Sequence, residues 1–342
     1  MRRLLIVKLG ALGDIVHAIP VAAALRRAYP SATIDWLVSG KHQRILELVP
    51  VLTHRIVIDT RSGALLSTLK TLRRGDYDVA LDLQGLVKSA VLARFSGAHR
   101  VIGFSRKYAR ESLASLLYSD AYDPGGDGMF APSDTRHVVD INLGMLTRLG
   151  IAPAPPEFPI EVTASAVAQA MAEQSGGRYA LLNPGAAWPN KRWPPARLAL
   201  LARELYQRRG LRSVVLWGPG EESLADSVAA GSDGAAIVSP QTSIADVVAL
   251  ARGASVMVSG DTGPTHLAAA VGTPIVGIYG PTRPERNGPW VREDETVSRA
   301  SICQCHHVRQ CRAGRMCLLD IEVDEVFAAV ERRLDAAGRA HG

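Results

Sequence analysis

Residues 255–280, SVMVSGDTGPTHLAAAVGTPIVGIYG, carry the pattern that decides the fold. Two apolar runs rich in valine and isoleucine flank a short segment that begins with Pro264 and ends with Gly272. Proline at the first helical position and glycine just past the last one are typical helix boundaries. Strands that are almost continuously apolar are buried on both faces, as in parallel sheets covered by helices. The stretch therefore predicts a strand, a helix and a parallel strand.

The same alternation of apolar strands and longer helical segments continues along the chain, which predicts an α/β fold. Strands are predicted at 3–8, 33–38, 55–59, 79–83, 100–104, 179–183, 213–218, 235–238, 255–260 and 274–280. The clearest helical segments are 20–30, 63–75, 136–149, 194–210, 264–272 and 324–338.

One segment, IAPAPPEFPI at 151–160, interrupts this alternation, because neither a helix nor a central strand tolerates so many prolines. We therefore predict two Rossmann-like, doubly wound domains, residues 1–158 and 159–342. The final helix either stays with the second domain or packs back on the first. Since ligands bind at the carboxyl ends of the strands in this architecture, we expect a cleft between the two sheets.

The positive charge of the chain is unevenly distributed. The formal net charge is +6, and residues 1–160 hold 20 of the 39 basic and 14 of the 33 acidic residues, which leaves 19 of each in residues 161–342. This excess favours an anionic partner for the first half, such as nucleic acid, phospholipid or a phosphorylated acceptor. No apolar run approaches the length of a membrane span, so we expect a cytoplasmic protein, with peripheral membrane contact left open.

The loop K8-L-G-A-L-G-D14 follows the first predicted strand. Its two glycines are not the G-x-G-x-x-G fingerprint, which argues against a nicotinamide dehydrogenase. Glycines here allow the backbone to approach a ligand closely. Asp14 then has two interpretations. It is either the cap of the following helix or a base that takes a proton from a sugar hydroxyl.

The turn after the strand at 255–260 is a candidate phosphate site. Asp261 ends the strand, Thr262 and Gly263 form the turn, and His266 follows in the first helical turn. Free N–H groups and the helix dipole together bind phosphate at such a helix start. The structural alternative is a cap at Asp261 and a packed histidine at position 266.

Two further loops follow predicted strands of the second half. NPGAAWPNKRWPP at 183–195 contains Lys191, which could neutralise a leaving diphosphate or could be a solvated surface charge. WGPGEES at 217–223 contains Glu221 and Glu222, either of which could bind ribose hydroxyls or simply begin a helix.

All four cysteines lie close together, at Cys303, Cys305, Cys311 and Cys317, with His306 and His307 between them. Four-coordinate zinc sites use such ligands, although C-x-C is a less usual spacing than C-x-x-C. The alternatives are a reduced cysteine loop near the nucleotide or no role.

Basic residues of the first half form two clusters. One, with Lys70, Arg73 and Arg74, lies on the leucine-faced helix at 63–75, which is the pattern of a helix on a membrane surface or an anionic acceptor. A plain surface helix has a similar pattern. The second cluster contains Arg100, Arg106, Lys107 and Arg110.

Taken together, these motifs resemble glycosyltransferase family 9, the lipopolysaccharide heptosyltransferases. The resemblance rests on KLGALGDIVHAIP near the N-terminus, NPGAAWPNKRWP after the linker and, most specifically, VSGDTGPTHLAAAVGTPIVGIYGPT at 258–282. The GDIVHAIP form is closer to the heptosyltransferase I branch.

The resemblance implies a GT-B fold and an inverting, metal-independent transferase without a cofactor. The donor would be ADP-L-glycero-β-D-manno-heptose on the second domain, and the acceptor would be Kdo-lipid A on the first, at the inner-membrane surface and without nucleic acid. Matched position by position, Asp14 would be the general base. The residues expected to hold the donor are Lys191, Glu221, Asp261, Thr262, Gly263 and His266. Those expected to contact the acceptor are Lys8, Gly13, Arg61 and Arg106.

The chain departs from the family pattern at two places. Ala186 and Ala187 stand where threonines near the phosphates are common, and WGPGEE fits the acidic loop only with a small shift. Another heptose acceptor or another nucleotide sugar therefore stays open. The competing function class is a non-catalytic protein that binds a nucleotide sugar at the same helix start.

Overall fold

The computed structural model describes residues 1–58, 64–129, 131, 133–306, 308–311 and 313–340. Contacts divide the chain into two compact units, unit 1 (Met1–Glu161) and unit 2 (Val162–Gly342). Residues 151–165 form neither helix nor strand, and the division falls inside this segment. The predicted boundary, after residue 158, lies in the same segment.

Unit 1 is a six-stranded parallel sheet with helices between the strands, in the strand order β3-β2-β1-β4-β5-β6. Its elements are β1 (Arg3–Val7), α1 (Leu12–Val16), α2 (Ile19–Ala28), β2 (Thr33–Ser39), β3 (His54–Ile58), α3 (Ala64–Arg74), β4 (Val79–Asp82), α4 (Val87–Phe95), β5 (Arg100–Phe104), β6 (Asp120–Tyr122) and α5 (Val138–Gly144). Three 3-10 segments accompany them, at Gly40–Leu48, Ser112–Leu117 and Met145–Leu149.

Unit 2 repeats this plan with the parallel order β12-β11-β10-β7-β8-β9. Its elements are α6 (Ala166–Gln174), β7 (Tyr179–Asn183), α7 (Pro195–Arg209), β8 (Arg212–Val215), α8 (Glu222–Ala230), β9 (Ala236–Val238), α9 (Ile244–Gly253), β10 (Val256–Gly260), α10 (Gly263–Ala270), β11 (Ile275–Tyr279), α11 (Pro284–Asn287), β12 (Glu295–Ser298) and α12 (Val323–Ala340). Two 3-10 turns lie at Pro189–Lys191 and Cys317–Asp320.

In each sheet the strand order reverses between the first and the fourth strand of the unit, which lie side by side. In unit 1 the neighbours are β1 and β4, and in unit 2 they are β7 and β10. The helices that follow these two strands cover opposite faces of the sheet, so a crevice opens at their carboxyl ends, where doubly wound folds bind ligands. The predicted α/β class is confirmed, and each unit carries one such crevice.

The central strands are fully buried, as their apolar sequences predict. Leu4 to Val7 of β1 and Val256 to Val258 of β10 have no exposed surface. The edge strands β6 and β12 were not predicted, since each is three or four residues long and includes polar or exposed positions. The helix predicted at 136–149 is α5 followed by the 3-10 segment Met145–Leu149.

The last helix, α12, packs against α7 and against β10, β11 and β12 of unit 2. Its Phe327 is buried in the core of unit 2, and the Arg208 guanidinium lies 4.5 Å from the centre of that ring. All of these contacts are with elements of unit 2. Within the described residues, no helix combines the length and the apolar character that a membrane crossing requires.

Candidate functional site

A buried carboxylate marks the crevice of unit 2. Asp261 follows β10 directly, and its side chain is only 5% exposed. Lys191 Nζ lies 2.6 Å from Asp261 Oδ2, and His266 Nε2 lies 2.9 Å from Oδ1. An ionised carboxylate only accepts hydrogen bonds, so His266 Nε2 donates. The 3-10 turn before α7, the end of β10 and the first turn of α10 therefore meet at one carboxyl group.

This carboxylate is held in its ionised form. Burial on its own would raise the pKa of Asp261, but the hydrogen bond from His266 and the charge of Lys191 outweigh it and hold that pKa well below its usual value. The Lys191 ammonium also lies 4.5 Å from the centre of the Trp188 ring. Asp261 thus fixes two hydrogen-bond donors in place. The structure brings together Lys191, Asp261 and His266, which the sequence analysis had assigned to one site.

Hydroxyl groups fix the backbone of the same turn. Asn183 Nδ2 donates to Ser259 Oγ and to Thr262 Oγ1, both at 3.1 Å. Thr265 Oγ1 donates to the Gly260 carbonyl at 2.7 Å. The side chain of Thr262, the residue before α10, makes no capping hydrogen bond to the helix. The first amides of α10, which include that of Gly263, can therefore serve an anion.

Glu221, the residue before α8, is already engaged. Its carboxylate accepts a hydrogen bond from the Gly218 N–H at 3.3 Å, and its other oxygen lies 3.4 Å from Arg192. It also packs against Gly185, where an added Cβ would lie 2.0 Å from Glu221 Oε2 and would displace that carboxylate. The ribose role predicted for Glu221 would require the Arg192 contact to be shared. Glu222 is exposed at the start of α8.

The structure shows a capping contact for Asp14, which is one of the two interpretations that the sequence left open. It is the third residue of α1, and its Oδ2 accepts a hydrogen bond from the Ala11 N–H at 3.3 Å. Its side chain is nevertheless 34% exposed, and Arg110 Nη1 lies 3.7 Å from Oδ2. The capping contact orients the carboxylate without burying it.

His42 was not predicted from the sequence, yet it lies beside this loop. A Cβ on Gly10, which has a φ of +152°, would stand 2.5 Å from His42 Cδ2. Burial and the charge of Lys41 lower the pKa of His42, and Asp14 partly opposes them. The sequence signal was a histidine three residues after the end of β2.

The four predicted acceptor contacts differ in position. Lys8 is buried, and its Nζ donates to the Leu83 carbonyl at 2.7 Å, so it joins the ends of β1 and β4. Gly13 is buried inside α1, whereas Arg106 is exposed in the loop after β5. Arg61 lies outside the described residues.

The sequence analysis also assigned no role to the end of β4 and the loop that follows it. Asp82 is fully buried and accepts hydrogen bonds from the Gln84 N–H, the Ser89 hydroxyl and the Tyr118 hydroxyl at 2.8–2.9 Å. Burial raises the pKa of this carboxyl. Gln84 Oε1 in turn accepts from the Leu9 N–H at 3.1 Å. Asp82 therefore holds the β4 loop against the β1 loop, and the DLQG sequence was the available signal.

The cysteines gather in the loop before α12. The Sγ atoms of Cys305 and Cys311 lie 3.3 Å apart, and burial together with the Cys303 thiol raises the pKa of Cys317 to about 12. His307, one of the candidate ligands, is not described. In the part of the chain that the structure describes, no three His, Cys, Asp or Glu side chains form a group that could hold a metal ion.

Comparisons with known proteins identify the family. The model of "Glycosyltransferase family 9 (heptosyltransferase)" matches residues 65–317. Lipopolysaccharide heptosyltransferase 1 of Pseudomonas aeruginosa is 32% identical over 306 residues, which cover 85% of this chain and 82% of that protein. Lipopolysaccharide heptosyltransferase 1 of Escherichia coli K12 is 29% identical over 294 residues, which cover 82% of this chain and 89% of that one.

Solved structures are also similar. The E. coli heptosyltransferase WaaC with ADP has a TM-score of 0.74 at 25% identity, with 97% of this chain and 99% of that chain covered. The same enzyme with ADP-2-deoxy-2-fluoro heptose has a TM-score of 0.73 at 27% identity, with 96% and 99% covered. The predicted fold class, that of the GT-B heptosyltransferases, is therefore confirmed.

Proposed function

This chain belongs to glycosyltransferase family 9, and we propose that it transfers heptose from ADP-L-glycero-β-D-manno-heptose to the Kdo-lipid A inner core of lipopolysaccharide. The similar proteins named above are lipopolysaccharide heptosyltransferases, and the matched structures hold ADP and an ADP-heptose analogue. These names support the donor and the reaction class for this chain.

The observation that carries the proposal is the group formed by Asp261, Lys191 and His266 at the start of α10. Transfer from a nucleotide sugar leaves a diphosphate, whose growing negative charge must be stabilised as the bond breaks. Lys191 supplies an ammonium, His266 is oriented beside it, and the amides of Gly263 and the helix dipole add positive potential. We assign the diphosphate to this turn, with Thr262 beside it.

Asp14 is our candidate for the general base. An acceptor hydroxyl attacks the anomeric carbon, and a carboxylate within hydrogen-bond reach takes its proton in the same step. The capping contact with Ala11 holds Asp14 in one orientation, and its exposed oxygen surface leaves room for a hydroxyl. A single displacement of this kind inverts the anomeric configuration.

We further propose that the acceptor binds to unit 1. The basic excess of the first half suits a Kdo-bearing, phosphorylated lipid, and Lys8, Gly13, Arg61 and Arg106 stay our candidate contacts. Since that acceptor is embedded in a bilayer, the enzyme would work in the cytoplasm at the inner face of the cell membrane. Lys191 and the α10 amides carry the diphosphate charge in this scheme, without a metal ion.

The test is a reaction of the purified chain with ADP-heptose and Kdo-lipid A, followed by mass spectrometry and NMR of the product. We expect one heptose per acceptor with inverted anomeric configuration. Saturable ADP binding without any product from a panel of nucleotide sugars and Kdo-bearing acceptors would instead identify a non-catalytic binding protein. Transfer to a different acceptor would keep the donor assignment and replace the acceptor.

A further inference from the structure

Two leucines of unit 1 are unusually exposed. Leu113 is 63% exposed and Leu116 is 78% exposed, the highest values among the exposed large apolar side chains of the described residues. Both belong to the 3-10 segment Ser112–Leu117. Side chains three residues apart in a 3-10 helix lie in one row, so the two leucines form a short apolar ridge. In this segment only Ala114 is buried.

The helix that packs against this ridge is basic. The 3-10 segment packs against α4, which exposes Lys88, Arg94 and the 48% exposed Phe95. Residues 83–110 contain six lysines and arginines and no aspartate or glutamate. Among the described residues, Lys88 and Arg94 have no acidic partner within ion-pair distance, so their charges face solvent.

The ridge is joined to the crevice of unit 1 by its preceding residues. Arg110 lies 3.7 Å from Asp14, and the Glu111 N–H donates to the Gly85 carbonyl at 2.9 Å. Glu111 also accepts a hydrogen bond from the Val87 N–H at 2.7 Å. The segment that carries Leu113 and Leu116 therefore begins at the edge where we placed Asp14.

We propose that this surface, Lys88, Arg94, Phe95, Leu113 and Leu116, docks the enzyme on an anionic lipid bilayer. A row of two leucines is too small for a stable protein interface, which needs about 800 Å² on each partner. Shallow insertion of a few apolar side chains, combined with attraction of basic residues to acidic headgroups, suffices for reversible binding to a membrane. The inference rests on the proposed function only in taking the acceptor to be a lipid.

The first experiment needs no catalysis. Co-sedimentation measures the binding of the purified chain to vesicles of phosphatidylcholine alone and to vesicles that also contain phosphatidylglycerol. We expect binding to the anionic vesicles, weakened by salt, and at least tenfold weaker binding for L113S/L116S. The matched control V162S/L200S removes two exposed apolar side chains of unit 2, 46% and 45% exposed, and should bind like the unchanged protein.

A second pair of variants separates charge from apolar insertion. K88Q/R94Q should lower the affinity for anionic vesicles by about fivefold per residue and reduce its salt dependence, while leaving the leucines in place. Circular dichroism and thermal unfolding establish that each variant is folded. Equal binding of L113S/L116S and the unchanged protein, or equal binding to neutral and anionic vesicles, would overturn the proposal.

Activity gives an independent readout. L113S/L116S should lose activity on acceptor embedded in vesicles but keep it on a de-acylated, water-soluble acceptor. If the enzyme proves inactive, the vesicle experiment still decides this inference. A change in sedimentation coefficient of L113S/L116S without a change in vesicle binding would assign the ridge to a second copy of the chain and refute membrane docking.

Discussion

The sheets of the two units have the same strand order, but the carboxylates in their crevices differ in burial and in charge compensation. In unit 2, Asp261 is 5% exposed and sits between Lys191 and His266, so its charge is compensated. In unit 1, Asp14 is 34% exposed, and Arg110 is 3.7 Å away. The same topology therefore builds one buried carboxylate that orients other groups and one that stays partly exposed. Function depends on the loops at the crevice and not on the sheet beneath them.

The largest expected effect is at Asp14. Asp14→Asn keeps the contact with the Ala11 N–H through the amide oxygen but removes the base, so kcat should fall by about 10²–10⁴-fold. ADP affinity, measured by calorimetry, should stay within twofold because we assign the donor site to unit 2. Asp140→Asn, the same charge change at an exposed position of α5, is the control. A near-normal kcat for Asp14→Asn would eliminate its role as the base.

The next effect concerns Asp261. Asp261→Asn leaves Lys191 partly buried without its counter-charge, and breaking such a pair costs about 3–5 kcal/mol of unfolding free energy. Denaturant unfolding measures this change, and ADP binding should weaken in parallel. Asp226→Asn, an exposed aspartate on α8, should change neither quantity by much. If the unfolding free energy of Asp261→Asn matched that of the control, Asp261 would not be the anchor of this site.

The same carboxylate predicts how stability depends on pH. Its pKa in the folded protein lies below the unfolded value of about 3.9, so its stabilising contribution is complete above that unfolded value. The contribution is lost as the pH falls through the lowered folded pKa. The stability difference between the unchanged chain and Asp261→Asn should therefore shrink toward acid, as urea unfolding in a series of acidic buffers would reveal. A difference that grows toward acid would contradict this sign.

A smaller effect is expected at Gly10, where the β1 loop meets His42. Gly10→Ala places a methyl group 2.5 Å from His42 Cδ2 at a φ of +152°, which should cost about 1–3 kcal/mol of stability and raise the KM for the acceptor. Gly40→Ala is the matched control, since its added Cβ would meet only Val57 Cγ1, at 3.6 Å. Thermal unfolding and acceptor titrations compare the two. Equal stability and equal KM for the two variants would mean that the β1 loop adjusts to the added methyl group without cost.

The smallest expected effect is that of chelation. Because Lys191 and the α10 amides are assigned to the diphosphate, EDTA should change the transfer rate by less than twofold. Elemental analysis before and after treatment records any bound metal, including zinc at the cysteines. Loss of activity that magnesium or zinc restores would require a metal ion in the donor site or a structural one at the cysteine loop.

Much of the fold could be predicted because each buried parallel strand is a short apolar run in the sequence. Apolar runs such as 3–8 and 255–260 match β1 and β10 to within one residue, and each strand lies in the parallel sheet of its own unit. The edge strand β12 escaped prediction because its sequence ETVS has little apolar content. Asp14, Asp261 and His266 could be singled out as candidates because each lies in the loop or the first helical turn that follows a predicted strand.

The sequence by itself determined two doubly wound units, the loops that line their crevices and the residue types within reach of an anionic ligand. Only the tertiary structure decided which of these groups compensate one another. Lys191 and Asp261 are separated by 70 residues, and Lys8 and Leu83 by 75, yet each pair is in contact. Hydrophobic periodicity reports which face of a segment is buried, whereas hydrogen bonds and ion pairs depend on distances through space that no local pattern contains.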